Sequence, residues 1–238
     1  MRVSERPSPN HGPRPADTPV DMLVLHYTGM ATAEAALARL RDPTARVSAH
    51  WLVDEAGGLV RLVDEARAAW HAGVSAWAGH VGLNGRSIGV EIVNGGHDFG
   101  LPPYPDAQIA AVIALAREVG ARWSIPAVNV VAHSDVAPMR KADPGERFPW
   151  ARLAHAGVGL WPEPADGPPA ASVTGALAAI GYMLDGAPQP TTVTAALKAF
   201  QRRFGAGGPI DGRPDAATRR RLGEVAACHL LARAAHAP

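Results

Sequence analysis

Apolar runs of strand length alternate along this chain with stretches in which apolar residues recur every three or four positions. Residues 21–25 form one such run, which ends at His26. Residues 32–41, TAEAALARLR, have helical composition and stop before Asp42-Pro43, because proline cannot continue a helix. In SAHWLVDEAGGLVRLV two β-prone segments flank Gly57-Gly58, which predicts a hairpin. Alternation puts His50 and Trp51 on opposite faces of its first strand, one of them buried. Residues 87–93 predict another strand. Asp106 follows Pro105 and can cap a helix in which Ile109, Val112, Ile113, Ala116 and Val119 share one face, up to Gly120. The β-branched segment 128–132 leads into His133. Strands alternating with helices argue for a mixed α/β domain.

The pattern changes near residue 159. GLWPEPADGPPAAS is rich in Pro and Gly and reads as a linker over 159–172. Three short helical stretches follow, TGALAAIGYML, TTVTAALKAFQRRFG and DAATRRRLGEVAACHLLARAAH. In the second, Val193, Leu197 and Phe200 stand at i, i+4 and i+7, one buried helix face. This predicts a small three-helix bundle over 173–236, near the lower size limit for independent folding. The first 19 residues are polar and Pro-rich and predict a flexible arm. The main domain then runs over 20–158.

Composition narrows the options. Of 238 residues 47% are hydrophobic, enough for a full core and a smaller unit, and a formal net charge of +1 gives no field that would draw nucleic acid or a membrane surface. The one cysteine, Cys228, rules out an internal disulfide and a cysteine-rich zinc site. No run has membrane-spanning length, and MRVSERPSPNHGPRPADTP lacks the apolar core of a signal peptide. The expected compartment is therefore the cytoplasm, with periplasmic or extracellular export by another route as the alternative. No obligate protein partner is expected.

The chemistry concentrates at strand ends, where α/β folds build their sites. His26 and His133 each close an apolar run, and Asp143 follows His133 on an irregular segment, VVAHSDVAPMRKADPG. Taken singly, each has an ordinary reading as a hydrogen-bonded structural histidine or a turn residue before Pro144. Together with Glu91 in SIGVEIVN and with Lys141, they supply two imidazoles, a carboxylate ligand and a spare acid and cation, the parts of a hydrolytic zinc site. His11, His80, His97, His155, His229 and His236 have no partner pattern and read as surface residues.

LHYTG with His26, AWHAG with His71, SIGVEIVN with Glu91 and AHSDVAPMRKADPG with His133, Lys141 and Asp143 resemble the zinc-dependent N-acetylmuramoyl-L-alanine amidases of type 2. Peptidoglycan recognition proteins and the T7-lysozyme-type amidases share their fold. The resemblance covers about residues 20–150, with four motifs in order. It implies a mixed central β-sheet flanked by helices, one Zn²⁺ held by His26, His133 and Asp143, and catalytic roles for Glu91 and Lys141. It also implies peptidoglycan fragments or the sacculus as partner and hydrolysis of the amide between N-acetylmuramic acid, or its 1,6-anhydro form, and L-alanine, in cell-wall recycling or, alternatively, by an exported wall-degrading enzyme. For His71 three roles stay open: substrate contact, orientation of a neighbour, or packing. Trp70 reads as cleft wall or core, and Asn94 as a donor to a peptide carbonyl or a strand-end cap. A muropeptide-binding protein without catalysis would lack a ligand or Glu91, and neither is missing. An endopeptidase acting within the stem peptide would use the same residues.

The C-terminal stretch resembles the type 1 peptidoglycan-binding domain at Gly181-Tyr182, Phe200-Gln201, Asp211-Gly212, Thr218 and Leu222. The usual turn before the middle helix stands here only as DGAPQPTT.

Overall fold

The computed structural model describes residues 3–163, 167–184, 189–205 and 207–235. Residues 164–166 of the expected linker, 185–188 of the DGAPQPTT segment, and His236 lie outside the described residues.

Six strands form the central sheet in the order β1-β5-β4-β9-β3-β10. They are β1 (Val3–Glu5), β3 (Met22–Tyr27), β4 (Trp51–Val53), β5 (Leu59–Arg61), β9 (Ser87–Ile92) and β10 (Val130–Ala132). The sheet is mixed, because the β4–β5 hairpin is antiparallel and every other pairing is parallel. Gly57 makes that hairpin possible. It adopts φ +83, and a Cβ there would collide with the carbonyl of Ala107. Small two-stranded ribbons pair β2 (His11–Pro13) with β6 (Arg67–Ala69), and β7 (Ala76–Trp77) with β8 (His80–Val81).

Parallel pairing of β9, β3 and β10 brings their C-terminal ends to one edge of the sheet, and the register sets His26 directly beside Glu91. Because side chains alternate along a strand, each face buries a different set. Leu23, Leu25, Ile88, Val90 and Ile92 pack toward α2 (Asp106–Trp123) and α4 (Trp150–His155). Met22, Val24 and Val131 lie on the other face, the side to which His26 and Glu91 belong. They share a core with α5 (Val173–Ile180), α6 (Pro190–Phe204) and α7 (Ala216–Ala234) through Leu177, Ile180, Leu197, Phe200 and Leu222. Helix α1 (Ala33–Arg41), capped by Thr32, closes the remainder of that face over Leu52 and Val60.

Three expectations need correction. Residues 3–19 do not form a flexible arm: β1 extends the sheet beside β5, β2 pairs with β6, and Asn10 donates to the carbonyls of Asp42 and Val47. Backbone pairing holds this segment where side-chain hydrophobicity is too low to announce it. His50 and Trp51 are both buried, because the His50 ring accepts from the Gly89 backbone and the Trp51 indole donates to Glu65. His229 is a buried residue of α7 and not a surface one. Among the described residues no helix is long and apolar enough to cross a membrane.

Candidate metal centre and active site

His26, the fifth residue of β3, projects from the face opposite Leu25. His133 opens the short helix α3 (His133–Val136) directly after β10, and Asp143 comes from the loop beyond it. That loop is tied to the helix start by the Ser134 N–H donating to the carbonyl of Asp143 at 2.9 Å. The Asp143-Pro144 peptide is cis. As a result Nδ1 of His26, Nδ1 of His133 and Oδ2 of Asp143 converge, 2.8, 3.1 and 3.0 Å apart, all buried.

Hydrogen bonds on the far side of each ring decide what these atoms are. The His133 Nε2–H donates to the carbonyl of Ala72 at 3.2 Å, which leaves Nδ1 a bare lone pair. His26 is fixed through a longer chain. The single hydroxyl proton of Ser87 goes to the Leu83 carbonyl at 2.7 Å, so the Ser87 oxygen accepts from His71 Nε2–H at 3.1 Å. Nδ1 of His71 then accepts from His26 Nε2–H at 3.0 Å, and Nδ1 of His26 is bare as well. Burial, reinforced by the neighbouring His133, lowers the His26 pKa to about 4. Burial with His26 and His50 puts His71 well below its usual range, so both rings are neutral at pH 7. For Asp143 burial works upward, but His133 and His26 outweigh it and hold the carboxyl far below the usual carboxylate range. Two imidazole nitrogens and a carboxylate oxygen meet here while the outer ring nitrogens are bonded elsewhere, a cluster of lone pairs that a cation satisfies. The donor set of nitrogen and oxygen fits one metal ion.

Gly89 lets this relay exist. A Cβ at Gly89 would run into the His71 ring, so the glycine of SIGVEIVN keeps the space behind β9 open.

The triad faces a cavity of about 260 Å³ whose wall includes Glu91, Lys141, Trp70 and Tyr27. Oε2 of Glu91 is buried without a hydrogen-bond partner among the described residues. Burial, aided by Asp143 and opposed by Lys141, raises the Glu91 pKa well above the ordinary value. An unpaired buried carboxyl group is costly, and at the mouth of a donor triad it is poised to take and return a proton.

Five of the eight residues singled out from sequence thus meet at the cavity, His26, Glu91, His133, Lys141 and Asp143, and Trp70 lines it. His71 also reaches the wall, but its ring nitrogens are both engaged by His26 and Ser87. Asn94 does not take part. Its amide donates to the Pro102 carbonyl and accepts from Gly96 N–H, so it holds the 94–102 loop. Asn94 is absent from the wall of the metal-site cavity, and its bonds fit the strand-end alternative. Sequence reasoning passed over Ser87, whose only signal is its place two residues before Gly89 in the Glu91 motif. It also passed over Asp135, whose signal is its spacing from His133. Oδ2 of Asp135 accepts from the Ala132 N–H at 2.9 Å and so caps the helix that carries His133.

Two donors at adjacent strand ends and a third on the loop that follows, with an open side toward a cavity bearing a buried acid and a lysine, form an arrangement suited to metal-assisted hydrolysis. Sequence comparison supplies the family. The model of the N-acetylmuramoyl-L-alanine amidase family matches residues 16–146, and the chain belongs to that family. It is 44% identical over 156 residues to N-acetylmuramoyl-L-alanine amidase AmiD of Escherichia coli (strain K12), a match over 60% of this chain and 55% of AmiD. It is 36% identical over 164 residues to 1,6-anhydro-N-acetylmuramyl-L-alanine amidase AmpD of Enterobacter cloacae, over 62% of this chain and 86% of AmpD. The structure of AmiD from E. coli in complex with anhydro-N-acetylmuramic acid-L-Ala-D-gamma-Glu-L-Lys superposes with a TM-score of 0.80 at 36% identity, covering 90% of this chain and 92% of that one. A match this long reaches past residue 146 into the C-terminal helices.

Proposed function

We propose that this protein is a zinc-dependent amidase that hydrolyses the bond between the lactyl group of 1,6-anhydro-N-acetylmuramic acid and L-alanine in soluble muropeptides. The observation that carries the reading is the lone-pair cluster of His26, His133 and Asp143 beside the unpaired Oε2 of Glu91. The substrate class is supported by the names of the AmpD relatives and by the ligand of the AmiD complex.

His26, His133 and Asp143 would hold the ion. Bound zinc supplies a positive charge that acidifies water and polarises a carbonyl. Glu91 accepts the proton of the attacking water and delivers it to the amide nitrogen. The new C–O bond replaces the C–N bond, leaving a lactyl carboxylate and the free amine of L-alanine. Its raised proton affinity makes the carboxylate a stronger base than an exposed glutamate. Lys141 lines the same cavity, and its ammonium would stabilise the oxyanion that develops on the carbonyl oxygen. Trp70 supplies an aromatic wall for the substrate. His71 positions the ligand His26 through its ring nitrogens.

The C-terminal helices, which resemble a wall-binding module, share their core with the β3–β10 face of the sheet. That supports a role at the catalytic unit itself in addition to, or in place of, targeting.

Mass analysis of the products from one purified anhydro-muropeptide tests the assignment. The expected products are 1,6-anhydro-N-acetylmuramic acid and the intact stem peptide. Cleavage within the peptide would reassign the protein as an endopeptidase. An uncut ligand that still binds would make it a recognition protein, and turnover of sacculi alone would move it to the wall polymer.

A further inference from the structure

Helix α6 presents two distinct faces. Ala196, Leu197, Phe200, Arg203 and Phe204 are buried against the sheet and the other helices. Thr191, Thr194, Ala195, Lys198 and Arg202 fall at i, i+3, i+4, i+7 and i+11, the spacing of a second stripe. That stripe forms one wall of a cleft of about 440 Å³ whose opposite wall is Pro138, Met139 and Lys141. Lys141 also lines the metal-site cavity, so the two spaces meet at this residue. The cleft wall carries Lys141, Lys198 and Arg202 and no acidic side chain.

The helix backbone and Arg202 are held in place. Arg203, adjacent to Arg202, locks α6 to the sheet by donating to the Val130 carbonyl at 3.0 Å and pairing with buried Asp135. The Arg202 guanidinium lies 3.7 Å from Glu146, which accepts from His97 at 3.0 Å. The far nitrogen of His97 meets the hydroxyl of Tyr27, another residue of the metal-site cavity. Glu146 offsets one positive charge from behind Arg202, and the cleft remains cationic. Lys198 is exposed and makes no hydrogen bond or ion pair among the described residues. Both α6 cations lie outside the segment 16–146 that defines the family.

We propose that Lys198 and Arg202 form a subsite that binds a free carboxylate of the stem peptide, so that the C-terminal unit supplies half of the substrate groove. This rests on the muropeptide reading above. A γ-linked glutamate in a stem peptide keeps its α-carboxylate free, and a cationic cleft that opens from the site of amide attack is complementary to it.

The test uses two synthetic anhydro-muropeptides that differ only in having the α-carboxylate or the α-carboxamide at the γ-linked glutamate. Their binding is measured by calorimetry to the full metal-free chain, where no turnover occurs. The carboxylate form should bind about three- to fivefold more tightly, the range for a solvent-exposed ion pair, and the preference should shrink at high salt. Lys198→Ala removes an ammonium with no hydrogen-bond or ion-pair partner among the described residues. It should weaken the carboxylate ligand and leave the carboxamide unchanged, as should Arg202→Ala. Equal binding of the two ligands, or variants that weaken both alike, would overturn the subsite. Cleavage is read separately on the zinc-loaded chain. A carboxylate preference without cleavage keeps the subsite and rejects the amidase reading, and cleavage without a preference does the reverse.

Discussion

Arg203 of α6 and Asp135, two residues beyond His133, form an ion pair of 2.5 Å in which the side chains are 2% and 0% exposed. Asp135 is fully used. One oxygen takes Arg203 and the Ala132 N–H that opens the ligand helix, and the other accepts from the Tyr182 hydroxyl at 2.7 Å. Arg203 also lies over the Trp150 ring, 4.1 Å from its centre. The helical unit therefore grips the β10–α3 junction that presents His133. Arg203→Met leaves Asp135 buried without its cation and should cost about 3–5 kcal/mol of folding free energy. Removal of residues 159–238 should uncover Met22, Val24 and Val131 and lower the melting temperature together with activity on soluble muropeptide. A truncated chain with full activity on the soluble substrate would show that the unit acts only as a tether.

The proposed metal ligands and the proposed acid can be tested separately. His26→Ala, His133→Ala and Asp143→Ala should each lose stoichiometric zinc by metal analysis, because each removes one member of the acceptor cluster. Glu91→Gln should retain zinc and lose at least ~10²-fold in kcat, the scale of a general acid–base group. Lys141→Ala should lose roughly 10²- to 10³-fold if it serves the oxyanion. Full zinc in the three ligand variants, or near-normal kcat in Glu91→Gln, would contradict these roles.

The apolar runs ending at His26, Glu91 and His133 made the strand ends readable from sequence, and with them most of the cavity. What stayed hidden depended on pairing between distant segments. The register that sets His26 beside Glu91 is a property of the parallel β3–β9 pair, not of either strand. The N-terminal strands are three residues each, too short to show a period, and are held by backbone bonds to β5 and β6. Periodicity in α6 correctly marked Leu197 and Phe200 as buried but left their partner surface open, and that surface is the sheet itself. His71 was legible as a motif residue, while its role followed only from the Ser87 hydroxyl on a neighbouring element.

The relay behind His26 predicts an effect of a residue that touches no metal. In Ser87→Ala the His71 Nε2–H loses its acceptor, and His71 no longer has one tautomer fixed. His26 is then free to lose its bare Nδ1, so zinc affinity should fall. Loss of an outer hydrogen-bond partner of a ligand commonly costs about 10- to 100-fold in metal affinity. Competition with a chromophoric chelator measures it directly. An unchanged zinc Kd in Ser87→Ala would show that His26 holds its tautomer without the relay.

His229 sets a pH dependence of folding away from the metal. Burial, then the charges of Arg203 and Arg233, lower its pKa from 6.5 to about 3. Between those two values the unfolded chain binds a proton that the folded chain refuses, so stability rises with pH across that window. The contribution is complete above about 6.5, declines as pH falls, and is exhausted near about 3. His229→Leu keeps an apolar side chain of similar size in the core and removes the titration. Denaturant midpoints of the metal-free chain, taken at intervals from about pH 7 to about pH 4, should fall less steeply in the variant, by the equivalent of one bound proton. Other buried groups, His50 among them with a pKa lowered to about 4, titrate in both proteins and cancel in the difference. Parallel midpoint curves for the two chains would mean that the His229 imidazole is protonated in the folded state, in contact with a group able to bear its charge.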